Sequence, residues 1–201
     1  MNTWIESINN GFTIAIVYGI LLFVPTLIGS ILVKGGKFNI GKYVMNTLFF
    51  AYMCCVFALT FLPLPTAGTV LTGHNIQLIP GYCLYDLAKN PCMNGLAQIL
   101  FNIVMTIPFG GYLKYYGKMD MKKITLLSFA LTLFIEVGQL TGLFFIYSGS
   151  YRFCDVDDLI CNTLGGVIGA WMAAKFTFLP DLDKFELNLL HFGHKAKKVA
   201  C

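Results

Sequence analysis

Five stretches of this chain, residues 11–33, 43–62, 96–117, 124–142 and 156–179, are predominantly apolar over a helix-length of bilayer. Crossing a bilayer takes about 20 such residues, and in lipid each backbone N–H and C=O must be satisfied within the segment. A helix is therefore the structure open to each stretch. The whole chain agrees: 57% of its 201 residues are hydrophobic and 12% charged, unlike ordinary soluble domains. The expected fold is all-α, a polytopic membrane bundle of five transmembrane helices. The first stretch has no basic residue before it and no small-residue cleavage site after it, so it reads as an extra helix and not as a signal peptide.

Charge then orients the bundle. Lys34, Lys37 and Lys42 follow the first stretch, Lys114, Lys118, Lys122 and Lys123 follow the third, and Lys175, Lys184, Lys195, Lys197 and Lys198 follow the fifth. Of the 14 basic residues only Lys89 and Arg152 fall on the other side. The positive-inside rule puts the amino terminus outside and the carboxyl terminus in the cytoplasm. The net charge of +4 reflects that topology and contact with membrane lipids, and nucleic acid is not an expected partner. Three parts result: an extra helix and basic loop over 1–43, a four-helix membrane domain over 44–179, and a cytoplasmic tail over 180–201. Leu182, Phe185, Leu187 and Leu190 suit an interfacial helix in that tail, and an ordinary solvated tail fits equally well.

Two features remain on the outer side, a loop over 63–95 and a turn around Arg152. In the loop, Gln77 to Pro80 and Tyr82 to Tyr85 suit a membrane surface or a lid over a cavity mouth. His74 stands alone there and reads as solvated. Cys83 and Cys92 admit a disulfide outside the cell, but the seven cysteines are an odd count, and reduced or buried thiols are favoured. No cysteine or histidine spacing suggests zinc.

Polar residues inside the apolar stretches follow helical spacing. Gln98, Asn102, Thr106 and Gly110 share a face in the third stretch, which Pro108 should kink. Ser128, Thr132, Glu136 and Gln139 share one in the fourth, and Asp155, Asp158, Asn162, Gly165 or Gly166, and Gly169 in the fifth. Glu136 is the ionisable side chain near the middle of a span; a carboxylate there costs about 2.5–3.5 kcal/mol on insertion scales unless paired, hydrated or protonated. A neutral glutamic acid bonded to a neighbouring helix would also account for it. The glycines read as close helix packing. If the fourth helix ends at Thr141-Gly142, with glycine as a left-handed cap, Glu136 lies about 9 Å from its outer end, level with Asn162. The three stripes then line one outward-facing pocket of Gln98, Asn102, Glu136, Gln139, Asp158 and Asn162.

The only arginine, Arg152, stands at the rim of that pocket with Asp155, Asp157 and Asp158 behind it. A helix cap accounts for one of these aspartates; it does not account for all three or for the arginine. Arg152 suits an anionic head group, with Asp157 and Asp158 holding it or meeting a cationic group. Asp157 and Asp158 are also the candidate ligands should a divalent cation bind; no other cofactor is expected.

These residues carry a family resemblance. Ser128, Glu136 and Gln139, followed by Arg152, Asp155, Asp157, Asp158, Asn162, Gly165, Gly166 and Gly169 at their spacings, resemble the VanZ family. Asn102 to Leu113 is similar to its third-helix signature, and Leu59 to Pro63 and Leu78 to Pro80 to its weaker upstream motifs. The match covers residues 44–175, with Gly81 standing where an aromatic is common. The resemblance implies a small bacterial cell-membrane protein of multi-pass type, the founding member being associated with low-level teicoplanin resistance. It supplies no reaction. A non-enzymatic envelope factor is the favoured reading, its outer pocket binding a lipid-linked cell-wall precursor, a lipoglycopeptide or another amphipathic ligand. The alternative is a membrane enzyme acting on a lipid-linked substrate at the outer leaflet, with Glu136 as general base and an aspartate-bound divalent cation.

Overall fold

A computed structural model describes residues 37–62, 64, 76–150, 152–175 and 186–188, together with Thr13, Val17 and Ile28. In chain order the elements are β1 (Lys37–Asn39), α1 (Ile40–Phe61), β2 (Ile76–Gln77), α2 (Tyr82–Lys89), α3 (Met93–Tyr115), α4 (Met121–Leu140), a single turn Gly142–Phe145, β3 (Cys154–Asp155), α5 (Val156–Lys175) and β4 (Glu186–Asn188). The protein is mostly helical, as its apolar stretches require, with two short ladders added. Parallel β2 and β3 form one, antiparallel β1 and β4 the other.

Three helices, α1, α3 and α4, are long and apolar enough to cross a membrane among the described residues. The expected count was five. The first stretch, 11–33, lies outside the described residues except at Thr13, Val17 and Ile28. The fifth forms α5 but carries Asp157 and Asp158 in its first turn, and Asn162 and three glycines dilute its apolar character further. The wide apolar faces of α3 and α4, with Leu100, Val104, Leu126 and Phe134 exposed, suit lipid and not water. This is a membrane protein.

The chain divides into two compact units, residues 60–177 and residues 1–59 with 178–201. In the second, Leu187 lies in β4 opposite Phe38. That part of the tail is extended, not the interfacial helix its apolar residues suggested. Leu182, Phe185, Leu190 and the terminal lysines lie outside the described residues.

The unit of residues 60–177 is built on α5, which lies against α3 on one side and α4 on the other. Glycine makes the first contact close. A Cβ at Gly110 would fall on the carbonyl of Gly166, one at Gly165 on that of Ile103, and one at Gly169 on that of Ile107. Backbones approaching this near gain dispersion contact in lipid, where no hydrophobic force drives helices together. At the end carrying the α3–α4 turn, Leu113, Ile124 and Ala170 are buried against Phe109, Tyr112, Met119 and Met121. α3 continues helical through Pro108.

α4 ends as glycine placement suggested: Leu140 is its last residue, and Gly142 takes φ 62°. The left hand does not stop at the glycine. Leu143, Phe144 and Phe145 also have positive φ, of 57°, 56° and 70°, a conformation costing about 1–2 kcal/mol per L-residue. The turn recovers part of that in hydrogen bonds, from Phe144 N to Thr141 Oγ1 and from Tyr147 N to the Gly142 carbonyl.

Candidate functional site

A cavity of about 290 Å³ opens where α3 and α5 begin, with α2 as its outer wall. Asp86 from α2, Gln98 from α3, and Asp155, Asp157 and Asp158 from the start of α5 line it, with Cys83, Cys92 and Cys161. Tyr82, Leu87, Ile99 and Phe153 supply its apolar surface. The ladder of Ile76 with Cys154 and Gln77 with Asp155 closes one side and joins the segment before α2 to the turn before α5.

Each aspartate has a different task. Asp155 caps α5, its Oδ1 accepting from Asp157 N at 2.8 Å. Its carboxyl pKa lies above the ordinary value, chiefly because burial penalises the charged form. Asp157, 5% exposed, reaches across to α2. Its two oxygens accept from Gly81 N at 2.6 Å and Cys83 N at 2.8 Å, closing the amino end of α2 as a carboxylate does at a helix dipole. Asp157 thus anchors the cavity wall, where the sequence suggested it would hold Arg152 or meet a cationic group. The departure at Gly81 has its reason here: the residue sits at φ 81°, and its N–H must face Asp157. Asp158 accepts from Asn102 Nδ2 and is also bonded by Gln98.

The remaining stripe residues lie behind the cavity wall. Ser128, Thr132, Glu136 and Gln139 are all buried, so the α4 stripe faces inward as its spacing requires. Glu136 is 2% exposed and accepts from Asp155 N at 3.1 Å, which ties α4 to β3 without reaching the cavity. Asn162 Nδ2 donates to Thr132 Oγ1 at 3.2 Å, and Thr106 Oγ1 donates to the Asn162 carbonyl at 2.6 Å. This buried chain joins α3, α5 and α4. Gln139 Nε2 donates to the Thr60 carbonyl at 2.7 Å. The pocket foreseen as one is thus divided: Gln98, Asp155, Asp157 and Asp158 face the cavity, Asn102 supports it, Gln139 and Asn162 bind helix to helix, and Glu136 binds α4 to β3.

Arg152 is not part of the cavity wall either. Its Nη2 donates to the Leu62 carbonyl just beyond α1, and Ser150 Oγ donates to the Arg152 carbonyl. The guanidinium satisfies a helix-end carbonyl from a position that favours positive charge.

Asp86, Cys161 and Phe153 are lining residues that sequence reasoning missed. The placement of Tyr82–Tyr85 over a cavity mouth was the nearest signal, and Asp86 is the acidic residue on that same helix. Cys83 and Cys92 both carry free thiols. Burial, with Asp157 beside it, pushes the Cys83 thiol up to about 12, and burial, with Glu136 nearby, takes Cys154 to about 11. No three of these acidic or sulfur side chains close into a metal-holding cluster among the described residues, Asp157 and Asp158 included.

The family described as VanZ/LLP1 matches residues 49–178, more than half of the chain and all of the cavity. The chain belongs to this VanZ-like family. No curated protein and no solved structure matches it. The VanZ-like segment includes the three-helix core and the loops joined by the β2–β3 ladder. In it, the acidic motif opening α5 divides its work between capping α5, anchoring α2 and facing the cavity.

Proposed function

We propose that this VanZ-like protein is a multi-pass protein of the bacterial cell membrane that contributes to teicoplanin-type resistance by holding an amphipathic or lipid-linked molecule at its cavity. The observation carrying this reading is the cavity itself: about 290 Å³, with four aspartates and Gln98 in its wall and aromatic and aliphatic side chains beside them. Such a site accepts a group that donates hydrogen bonds or carries positive charge, while its apolar side holds a hydrocarbon or aromatic part. With Arg152 bonded at α1, a bare anionic head group is the poorer fit.

The topology proposed with it has five spans, the amino terminus outside and the carboxyl terminus in the cytoplasm. Lys114, Lys118, Lys122 and Lys123 lie at the ends of α3 and α4 opposite the cavity, which therefore faces out under the positive-inside rule. Membrane lipids, a lipid-linked cell-wall precursor and the lipoglycopeptide itself are the candidate occupants.

The enzymatic alternative has less support. Glu136, its candidate base, is buried and bonded to Asp155 N, whereas a general base must come within about 2.6–3.2 Å of the proton it removes.

The test is expression in a susceptible bacterium, with teicoplanin susceptibility measured for wild type and for Ile99→Trp, which fills the cavity. Wild type should raise the inhibitory concentration and Ile99→Trp should not, at equal protein level. Resistance unaltered by the filled cavity would remove the cavity from the function. Mass spectrometry of precursor lipids from cells with and without the protein should show no new species; a modified lipid would instead establish the enzyme.

A further inference from the structure

The outer end of the bundle is apolar on its exposed side as well as in the cavity. Leu78 is 71% exposed, and Ile79, Leu84 and Tyr85 are exposed beside it; across the bundle end Phe145 is 84% exposed, next to Ile146. α2 is strongly amphipathic. Cys83 and Leu87 face the cavity, while Leu84, Tyr85 and Ala88 face away from it.

Many backbone amides of these exposed segments are bonded within the protein, where water would ordinarily suffice. Gln77 exchanges two hydrogen bonds with Ile79, one to its carbonyl at 2.9 Å and one from its N–H at 3.2 Å. Tyr82 N donates to the Ile79 carbonyl, and Asp157 takes the N–H groups of Gly81 and Cys83. In the left-handed turn, Phe144, Phe145, Ile146 and Tyr147 all donate locally. Exposed apolar side chains above amides bonded within the protein suit a lipid environment, since an unsatisfied amide there costs several kcal/mol.

The exposed face also continues a lipid-facing one. Met93, Leu96 and Leu100 are exposed along α3 immediately after α2, and α3 is long and apolar enough to span. On the other side, the Phe144 ring lies 4.7 Å from Phe134 of α4, which is itself exposed. Lys89 Nζ sits 4.6 Å from the Tyr85 ring centroid, an amphipathic pairing suited to the interface. Charge is nearly absent: α2 carries Asp86 and Lys89, and Gly142–Ile146 carries none.

We propose that Leu78–Lys89 and the Gly142–Ile146 turn form one surface seated in the head-group boundary of a bilayer leaflet, which sets the cavity mouth at the level of lipid head groups. Seating is apolar and aromatic, so it needs no anionic lipid. Whatever occupies the cavity then arrives from the leaflet.

The test places a single tryptophan at position 84 or 146 by Leu84→Trp or Ile146→Trp, in the full chain carrying Trp4→Phe and Trp171→Phe. The protein is reconstituted in vesicles of phosphatidylcholine alone, with lipid brominated near the head-group end of its acyl chains as the quencher. Brominated lipid should remove most of the emission at both positions, and aqueous acrylamide little of it. Strong acrylamide quenching with no lipid quenching would put the surface in water and overturn the proposal. Quenching by neither would mean that protein covers it, a second copy or another chain, and would overturn it too. The two positions lie on separate segments, so either one decides the matter if the other variant fails to fold.

Discussion

Arg152 Nη2 donates a hydrogen bond to the carbonyl oxygen of Leu62, so the only arginine of the chain closes the end of α1. The outer turn is thereby tied to a membrane helix, close to where Gln139 reaches the Thr60 carbonyl. Arg152→Ala should cost about 1.5–3 kcal/mol, the range for a hydrogen bond to a charged group. Arg152→Lys, which keeps charge and one donor, should cost less. Thermal unfolding of the purified variants in detergent checks the order. Equal loss for both would require the full guanidinium fork.

Asp157 bridges α5 to α2, and an amide can accept only one of the two N–H bonds its carboxylate takes. Asp157→Asn should loosen α2 locally with the helix core intact. Hydrogen exchange should speed up roughly tenfold or more at Gly81–Lys89, the factor that about 1.4 kcal/mol of local stability controls. Exchange in α4 should not change.

Two neighbouring glycines should differ sharply. A methyl at Gly110 would meet the Gly166 carbonyl, whereas one at Gly111 would meet its nearest atom, the Gly169 carbonyl oxygen, at an ordinary 3.6 Å. Gly110→Ala should cost about 1–3 kcal/mol or more through overpacking, and Gly111→Ala very little. The yield of monodisperse protein and its melting temperature make the comparison.

The Cys83 thiol, pushed up to about 12 by burial and Asp157, should resist maleimide near neutral pH because the thiolate is the nucleophile. Since burial and the neighbouring carboxylate both disfavour the anion, its labelling rate should keep climbing as pH rises toward that value. Exposed Cys92 is the internal comparison, resolved by mass spectrometry of the labelled peptides. Asp157→Asn should bring the Cys83 rise to lower pH.

Much of the candidate site was legible as helix faces. Ser128, Thr132, Glu136 and Gln139 repeat at intervals that bring them to one side of a helix, and all are buried there. The glycines of α5 announced a close approach, which Gly165, Gly166 and Gly169 make against α3 and α4. The stop near Gly142 followed from the ease with which glycine takes a left-handed helix end. In contrast, Asp157 and Gly81 are 76 residues apart, and no local period links them. Nor could spacing show that Glu136 and Asp158, on adjacent helices, would face different neighbours.

By itself the sequence determined that this chain lives in a membrane, that the described apolar stretches are helical, and which face of α3, α4 and α5 is polar. Those properties follow from hydropathy and a rise of about 1.5 Å per residue, and need no knowledge of neighbours. Which polar side chains line a cavity, and which only fasten helix to helix, was decided by the tertiary structure alone. The reason is competition for hydrogen-bond partners in a place with little water: Arg152 meets the Leu62 carbonyl, Asp157 the amides of Gly81 and Cys83, and Glu136 the amide of Asp155. Each was claimed by the nearest unsatisfied group, and that group's position is a property of the folded chain.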